Sequence, residues 1–345
     1  MSPRPLLTGL KFLSLCLALL GLAGCGGEPD NGNAGKMTLR LGFFPNVTHG
    51  AALVGTTNGA FAKALGPNVT LEEKVFNAGP AEIEALFGDQ IDLGYIGPGP
   101  AVNGFLKSQG KALRIVSGAA SGGAALVVRE DSGITNIRGL AGKMVAVPQI
   151  AGTQDISLRH ALQEVGLTST DKGGNVSILP ATSADTLTLF KKKSLDAAWV
   201  AEPWVARLVK EGHGKILIDE RDLWPKREFA SAVVIVRTKF LNENPELVEK
   251  FLRSHALTLE WMKKNPAETQ KIIGQAIKKL TTKALPDDVL SAALSRTEFT
   301  FDPVRESVMT FAGRSRELGY LREDPKLLRD LFDLQIMNIV LRSKP

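Results

Sequence analysis

Seven short segments of this 345-residue chain combine residue types that can hold a small anion without a cation. In the first half they read FFPNVTH (Phe43–His49), FNAGPAE (Phe76–Glu82), YIGPGPAVN (Tyr95–Asn103) and GAASGGA (Gly118–Ala124). In the second half they read VPQIAGTQD (Val147–Asp155), PATSAD (Pro180–Asp185) and WVAEPW (Trp199–Trp204). Each follows an apolar run with Gly, Pro, hydroxyl or amide residues, and several lead directly into a helical pattern. Helix starts leave N–H groups unpaired and carry partial positive charge, which suits a negative head group. None of the seven contains Lys or Arg, which a phosphate-handling enzyme would normally add, as it would a metal. Five or six hydrogen bonds to a charged group contribute about 1.5–3 kcal/mol each. After association costs of several kcal/mol, that still reaches the roughly 8 kcal/mol of micromolar binding.

Other chemistries fit poorly. In GPGPAV, Gly97 and Gly99 match the dinucleotide fingerprint but Val102 stands at the third glycine's place. Pro98 and Pro100 lack N–H donors, so Pro100 opens the next helix and Gly97 and Gly99 keep backbone N–H groups to offer. No GxSxG elbow exists, and no His/Asp/Glu spacing suggests a metal. Of four scattered histidines only His49 stands at a strand end, where ligand contact and helix capping are equally good readings. His255 and Tyr95 read as core.

The elements that must position these segments alternate. Strands are expected at Thr38–Phe43, Val69–Val75, Ile91–Ile96, Leu113–Ser117 and Ala124–Val128. A second set is expected at Met144–Val147, Val176–Leu179, Leu195–Val200, Ile216–Ile218 and Ala232–Val236. Helical patterns such as Ile156–Val165 lie between them, which predicts α/β with largely parallel sheets, and ligands bind beyond the carboxyl ends of such strands. The last hundred residues are helical: Asn244 caps, Pro245 starts, and Leu247, Val248, Phe251, Leu252, Leu259 and Met262 share a face. Further helices are expected over Pro286–Arg296, Pro303–Leu318 and Pro325–Leu341. Two internal echoes stand out. LFGDQIDLGYIGPGP matches LFKKKSLDAAWVAEPW, and AALVVRED (Ala124–Asp131) matches AVVIVRTK (Ala232–Lys239), in the same order. They predict two related lobes, with the second pair as strands passing between them.

The leader is separate. Arg4 and Lys11 precede the 13-residue apolar run Phe12–Gly24, too short for the ~20 residues of a membrane span. Residues 1–24 therefore read as a signal peptide, ending in LAGC (Leu22–Cys25), similar to a bacterial lipobox that would leave Cys25 lipidated. Residues 25–36 make a polar, Gly- and Asn-rich tether. Cys16 would leave with the signal, so the body has no disulfide framework. The formal charge of +6 falls to +4 without Arg4 and Lys11. Its cations are dispersed among acids rather than gathered on a basic face with aromatics, which argues against nucleic-acid binding.

In order along nearly the whole body, FFPNVTH, FNAGPAEIEALF, DLGYIGPGPA, GAASGGAALVVRED, VAVPQIAGTQD, LDAAWVAEPW and DERDLWP resemble the aliphatic-sulfonate-binding lipoproteins of bacterial ABC importers. That family belongs to a wider group that binds sulfonates, nitrate and taurine. The resemblance implies an α/β, type II periplasmic-binding-protein fold with two lobes, two crossover strands and a cleft between them. Lobe one would be Met37–Leu126 plus Val233–Pro345, and lobe two Val127–Ala232. It implies a monomer in the periplasm or at the cell surface, with no cofactor and no catalysis, that passes an alkanesulfonate to a membrane permease. Taurine, nitrate or a pyrimidine precursor are the other ligands of that group. The same fold also serves enzymes, although the related thiamine-pyrimidine synthases need a cysteine cluster absent here. Carried onto this chain, the pocket would draw on Asn46, His49, Gly79, Gly97 and Pro98. It would add Ser121, Gly122, Gln149, Thr153, Gln154, Trp199 and Glu202. Ser121 has a second reading as a cap and Trp199 as core. Glu202 would repel a sulfonate, so it either supports the hinge or pairs with the amine of a zwitterion.

Overall fold

The structure, a computed structural model, describes residues 36–343. The signal peptide, Cys25 and nearly all of the tether lie outside the described residues. Eleven strands among them form two sheets. In chain order they are β1 (Met37–Phe43), β2 (Val69–Val75), β3 (Leu93–Ile96), β4 (Leu113–Gly122), β5 (Ala124–Arg129) and β6 (Met144–Val147). They continue with β7 (Ser177–Pro180), β8 (Ala197–Ala201), β9 (Gly214–Asp219), β10 (Ala230–Arg237) and β11 (Thr297–Phe299). The first sheet runs β11-β4-β10-β3-β1-β2 and the second β7-β6-β8-β5-β9.

Apart from β11 the two orders are the same pattern, and both sequence echoes fall on equivalent strands. β3 and β8 each lie beside a parallel neighbour, β1 or β6, and an antiparallel one, β10 or β5. β5 and β10, the second echo, are the antiparallel strands entered as the chain changes sheet. Parallel pairing is thus confined to β1–β3 and β6–β8, half of what the alternation predicts. The changes of sheet fall at Gly123 and in the 220–229 connection, whereas the expected lobe boundaries at 126 and 232 lie inside β5 and β10.

Three further expectations are corrected. GAASGG does not end a strand: β4 continues to Gly122, paired with β10 on one side and β11 on the other. β11 was not expected, because three residues carry no periodicity. The helix expected over Pro325–Leu341 is broken into a 3-10 turn, Pro325–Asp330, and a helix, Gln335–Arg342. Between them the chain adds to β4, where the Ile115 N–H donates to Leu331 O and the Asp333 N–H to Ile115 O.

The C-terminal stripe packs as its spacing predicts: Leu247, Val248, Phe251, Leu252, Leu259 and Met262 are all buried on helix Pro245–Lys264 against the first sheet. Asn244 starts that helix without capping it, since its amide donates backwards to Phe240 O. His255 on the same helix is core. The Tyr95 hydroxyl lies 2.8 Å from its Nδ1, and its Nε2 3.0 Å from Gly118 O. Burial lowers the imidazole's pKa to about 4.

The quoted stretch DLGYIGPGPA owes its opening Asp to the sheet. The buried Asp92 carboxylate accepts from the Arg40 backbone N–H and guanidinium on β1 and from Arg237 on β10, at 2.7–3.0 Å. It clamps the strands flanking β3. Burial alone would raise this carboxyl, but the two guanidiniums outweigh it and lower its pKa. Asp92→Ala leaves two arginines facing a buried gap and is expected to cost about 3–5 kcal/mol. Urea unfolding monitored by circular dichroism checks this, and a loss below about 1 kcal/mol would show that the clamp is not needed.

Candidate functional site

Where the two sheets face each other, the carboxyl ends of β1, β2, β3, β6, β7 and β8 converge on one cavity. Phe44, Asn46, Thr48 and His49 line it after β1, Asn77, Ala78 and Gly79 after β2, and Gly97 and Pro100 after β3. The second sheet supplies Pro148, Gln149, Gly152, Thr153 and Gln154 after β6, Ser183 after β7, and Ala201 at the end of β8, and Ser231 of β10 completes the wall. No Lys, Arg, Asp or Glu is among them. The space open to the centre of a water-sized sphere is about 40 Å³, room for roughly three waters or the oxygens of one small head group.

Four helices begin at this cavity: Gly79–Phe87, Pro98–Lys107, Thr153–Glu164 and Ser183–Lys191. The last is capped by Thr182, whose hydroxyl accepts from the Asp185 N–H. The other three start at Ala78, Gly97 and Gly152 with no side-chain cap. In the helix from Pro98 the two prolines have no N–H and the Gly99 N–H is taken by Thr153, so that helix offers its dipole alone, and the first-turn donors left for water or a ligand come from the other two. Two of these starts meet across the cleft: the Gly99 N–H donates to the Thr153 hydroxyl at 3.3 Å. Only a residue without a side chain allows that approach, because a Cβ at Gly97 would lie 2.3 Å from Thr153 Oγ1. Gly79 is similarly required, since its Cβ would lie 2.2 Å from Pro100 Cγ.

Two like-poled helix ends repel. With about half a charge each, roughly 6 Å apart at an effective dielectric near 20, the cost is under about 1 kcal/mol. A monoanion about 4 Å from both gains about 4 kcal/mol on the same scale, so the anion term dominates.

His49 adds a donor. Its Nδ1 accepts the Phe44 N–H at 3.2 Å, which fixes the neutral tautomer with hydrogen on Nε2. The ring stacks on Phe44 with centroids 4.3 Å apart, and burial lowers its pKa to about 3. Of the two readings of His49, the capping one is not met: no His49 side-chain cap bond reaches helix Gly50–Thr57. Beneath the cavity Glu82 is fully buried over Gly42 and Gly94, and burial raises its pKa well above the ordinary value.

Seven of the twelve expected side chains line the cavity: Asn46, His49, Gly79, Gly97, Gln149, Thr153 and Gln154. Five do not. Pro98 is one residue into its helix, turned from the lining. Ser121 and Gly122 belong to β4, where the Ser121 hydroxyl accepts the Phe229 N–H at 3.3 Å. Trp199 is fully buried, its indole donating to Glu220 at 2.8 Å. Glu202 is fully buried as well: Arg296 Nε donates to one carboxylate oxygen at 2.6 Å and the Ala206 N–H to the other at 3.0 Å. Burial pushes this carboxyl up while Arg296 pulls it down. Its backbone carbonyl accepts the Val47 N–H, so Glu202 joins the end of β8 to the segment after β1. The hinge-support reading fits and the amine-partner reading does not. Sequence reasoning missed Ser231, whose buried hydroxyl has no partner within the described protein and belongs to the cavity wall. A lone Ser in the apolar run FASAVVIV was the only signal.

The NMT1-like family model matches residues 32–278. The chain belongs to the NMT1-like family. A Bacillus subtilis (strain 168) protein with the provisional name aliphatic sulfonates-binding protein is 25% identical over 309 residues, 84% of this chain and 89% of that protein. The taurine-binding periplasmic protein of Escherichia coli (strain K12) is 28% identical over 203 residues, 59% of this chain and 60% of its own. The crystal structure of the periplasmic nitrate-binding protein NrtA from Synechocystis PCC 6803 superposes with a TM-score of 0.74 at 15% identity, covering 89% of both chains. The architecture is therefore the two-lobed periplasmic-binding-protein fold expected of this family.

Gly97→Ala places a methyl against Thr153 across the cleft rather than within either sheet's core. It is expected to weaken ligand binding at least tenfold while shifting the melting temperature by no more than a few degrees. Calorimetric titration beside a thermal melt checks this, and unchanged affinity would show that the helix ends need not meet.

Proposed function

We propose that this protein is an extracytoplasmic substrate-binding protein that closes its lobes over a small organic monoanion, an aliphatic sulfonate, and delivers it to an ABC importer. One observation carries the reading: three uncapped helix starts, drawn from both sheets, surround a cavity of head-group size that contains no charged side chain. The sulfonate oxygens would accept from first-turn N–H groups, His49 Nε2 and the Ser231 hydroxyl. Of the two relatives named above, one is called for aliphatic sulfonates and the other for taurine, itself a sulfonate. Taurine is disfavoured because both carboxylate oxygens of Glu202 are already engaged.

Two lobes are proposed, one built on each sheet, hinging where the chain changes sheet, at Gly123 and across 220–229, rather than at 126 and 232. Binding, not turnover, is the proposed role. Among the described residues no helix is long and apolar enough to cross a membrane, and attachment is proposed through a lipid on Cys25. Cys25→Ser is expected to move the protein from the membrane to the soluble fraction, and unchanged fractionation would refute the anchor.

The functional test is a thermal-shift and calorimetric panel of ethanesulfonate, taurine, nitrate, sulfate and a hydroxymethylpyrimidine. Stabilisation by ethanesulfonate with micromolar affinity is expected. A response to the pyrimidine alone would end the anion reading. With His49 neutral above about pH 3 and no other titratable group in the lining, affinity is expected to vary less than about twofold between pH 5 and pH 8. Marked tightening at pH 5 would mean that a protonated imidazolium, not a neutral donor, meets the anion.

A further inference from the structure

One turn of the cavity wall is held by side chains that do not reach the cavity. The loop after β6 and the helix Thr153–Glu164 behind it supply Gln149, Gly152, Thr153 and Gln154 to the lining. Within that loop Ala151 has a φ of 60°, a left-handed conformation that residues with a side chain rarely adopt. Such a residue persists only where its surroundings fix it. Here side chains fix both of its backbone groups. The Ala151 N–H donates to Asp155 Oδ2 at 2.8 Å, and its carbonyl accepts from the Asn103 amide at 3.3 Å.

Asn103 belongs to the first lobe, on helix Pro98–Lys107. A second side chain of that lobe reaches the same turn: Tyr320, which follows helix Arg305–Glu317, donates its hydroxyl to Asp155 Oδ2 at 2.6 Å. The other Asp155 oxygen accepts from Arg159 Nε at 2.8 Å, so the fully buried carboxylate has both oxygens engaged. Burial and the bond to Asp155 raise the Tyr320 pKa, which keeps the phenol the proton donor. Phe311, on the helix before Tyr320, shares one buried cluster with Ile156 of the second lobe and with Trp224 and Phe229 of the 220–229 connection. The turn is therefore tied to the first lobe beside the hinge. Neither Asn103 nor Tyr320 lines the head-group cavity.

We propose that Asn103 and Tyr320 are positioning residues: bridging from the first lobe, they hold the Ala151–Asp155 turn of the second in its binding conformation and so set how long a bound anion is retained. The proposal rests on the head-group reading above and adds to it residues that act on the ligand without touching it. An anion leaves only when the lobes part or this turn loosens, and either motion breaks the two bonds. The first encounter with the anion precedes them. Loss of a bond therefore falls on the dissociation rate. A hydrogen bond to a charged acceptor is worth about tenfold or more in an equilibrium constant, and one to an uncharged carbonyl about two- to tenfold.

Titration calorimetry of the purified protein with ethanesulfonate, run kinetically so that rates are read beside affinities, tests this. Tyr320→Phe removes one hydroxyl and keeps the ring. It is expected to speed dissociation at least fivefold and leave association within twofold, with the melting temperature moved by no more than a few degrees. Asn103→Ala is expected to speed dissociation at least twofold in the same way. Should that variant fold poorly, Tyr320→Phe alone keeps the proposal falsifiable. A lowered melting temperature with both rates unchanged, or weaker binding carried by association alone, would overturn the positioning role while leaving the head-group reading intact. No binding of ethanesulfonate to the wild-type protein would overturn the head-group reading and this proposal with it.

Discussion

The structure depends on the approach of two positively poled helix ends across a cleft. Helices Pro98–Lys107 and Thr153–Glu164 begin on different sheets and meet where the Gly99 N–H reaches the Thr153 hydroxyl. The arrangement is weakly repulsive when the space between them holds nothing negative and attractive when it holds a monoanion. In the proposed function, an anion between the two ends would offset their repulsion and so couple binding to the approach of the lobes. Neither lobe alone presents enough donors, and closing without an anion brings like poles together.

The duplicated strand order explains how the chain builds this symmetric grip. In each half, three parallel strands aim their carboxyl ends at the cleft, and an antiparallel strand, β10 or β5, pairs with β3 or β8 at the edge of the three. Glu202 then joins the halves. Its carbonyl accepts from Val47 and its carboxylate from Arg296, so the end of β8 is held to the first lobe on both sides of the cleft's base. A buried carboxylate with both oxygens engaged serves as a structural pin. It could not also serve as a counter-charge for a ligand.

Much of this was legible in the sequence because it is local. Small residues after apolar runs, with Pro or Thr opening helices behind them, placed Asn46, Gly79, Gly97, Gln149 and Thr153 at strand ends before any coordinates. The echo of IDLGYIGP in LDAAWVAEP foretold the paired topology. The misreadings share one cause, which is dependence on contacts distant in sequence. Glu202 finds Arg296 94 residues later. Ser121 and Gly122 looked like a loop because no local signal shows that β11 pairs with them. Ser231 acquires meaning only when β10 lies between β3 and β4.

The exclusion of cations from the head-group cavity is selective rather than incidental. The chain carries 42 lysines and arginines, and those near the cleft are spent elsewhere, Arg296 on Glu202 and Arg207 on Glu211. A guanidinium in the cavity would strengthen binding of every anion and favour dianions most. Helix ends contribute roughly 0.3–2 kcal/mol each, enough for a single charge delocalised over three oxygens. The attraction of fixed dipoles doubles for a dianion, whereas its hydration cost grows with the square of the charge, about fourfold. Sulfate and hydrogen phosphate would pass the size limit of the cavity and fail on charge. In the proposed site, fixed dipoles would therefore favour a monoanion such as a sulfonate over the commoner dianions.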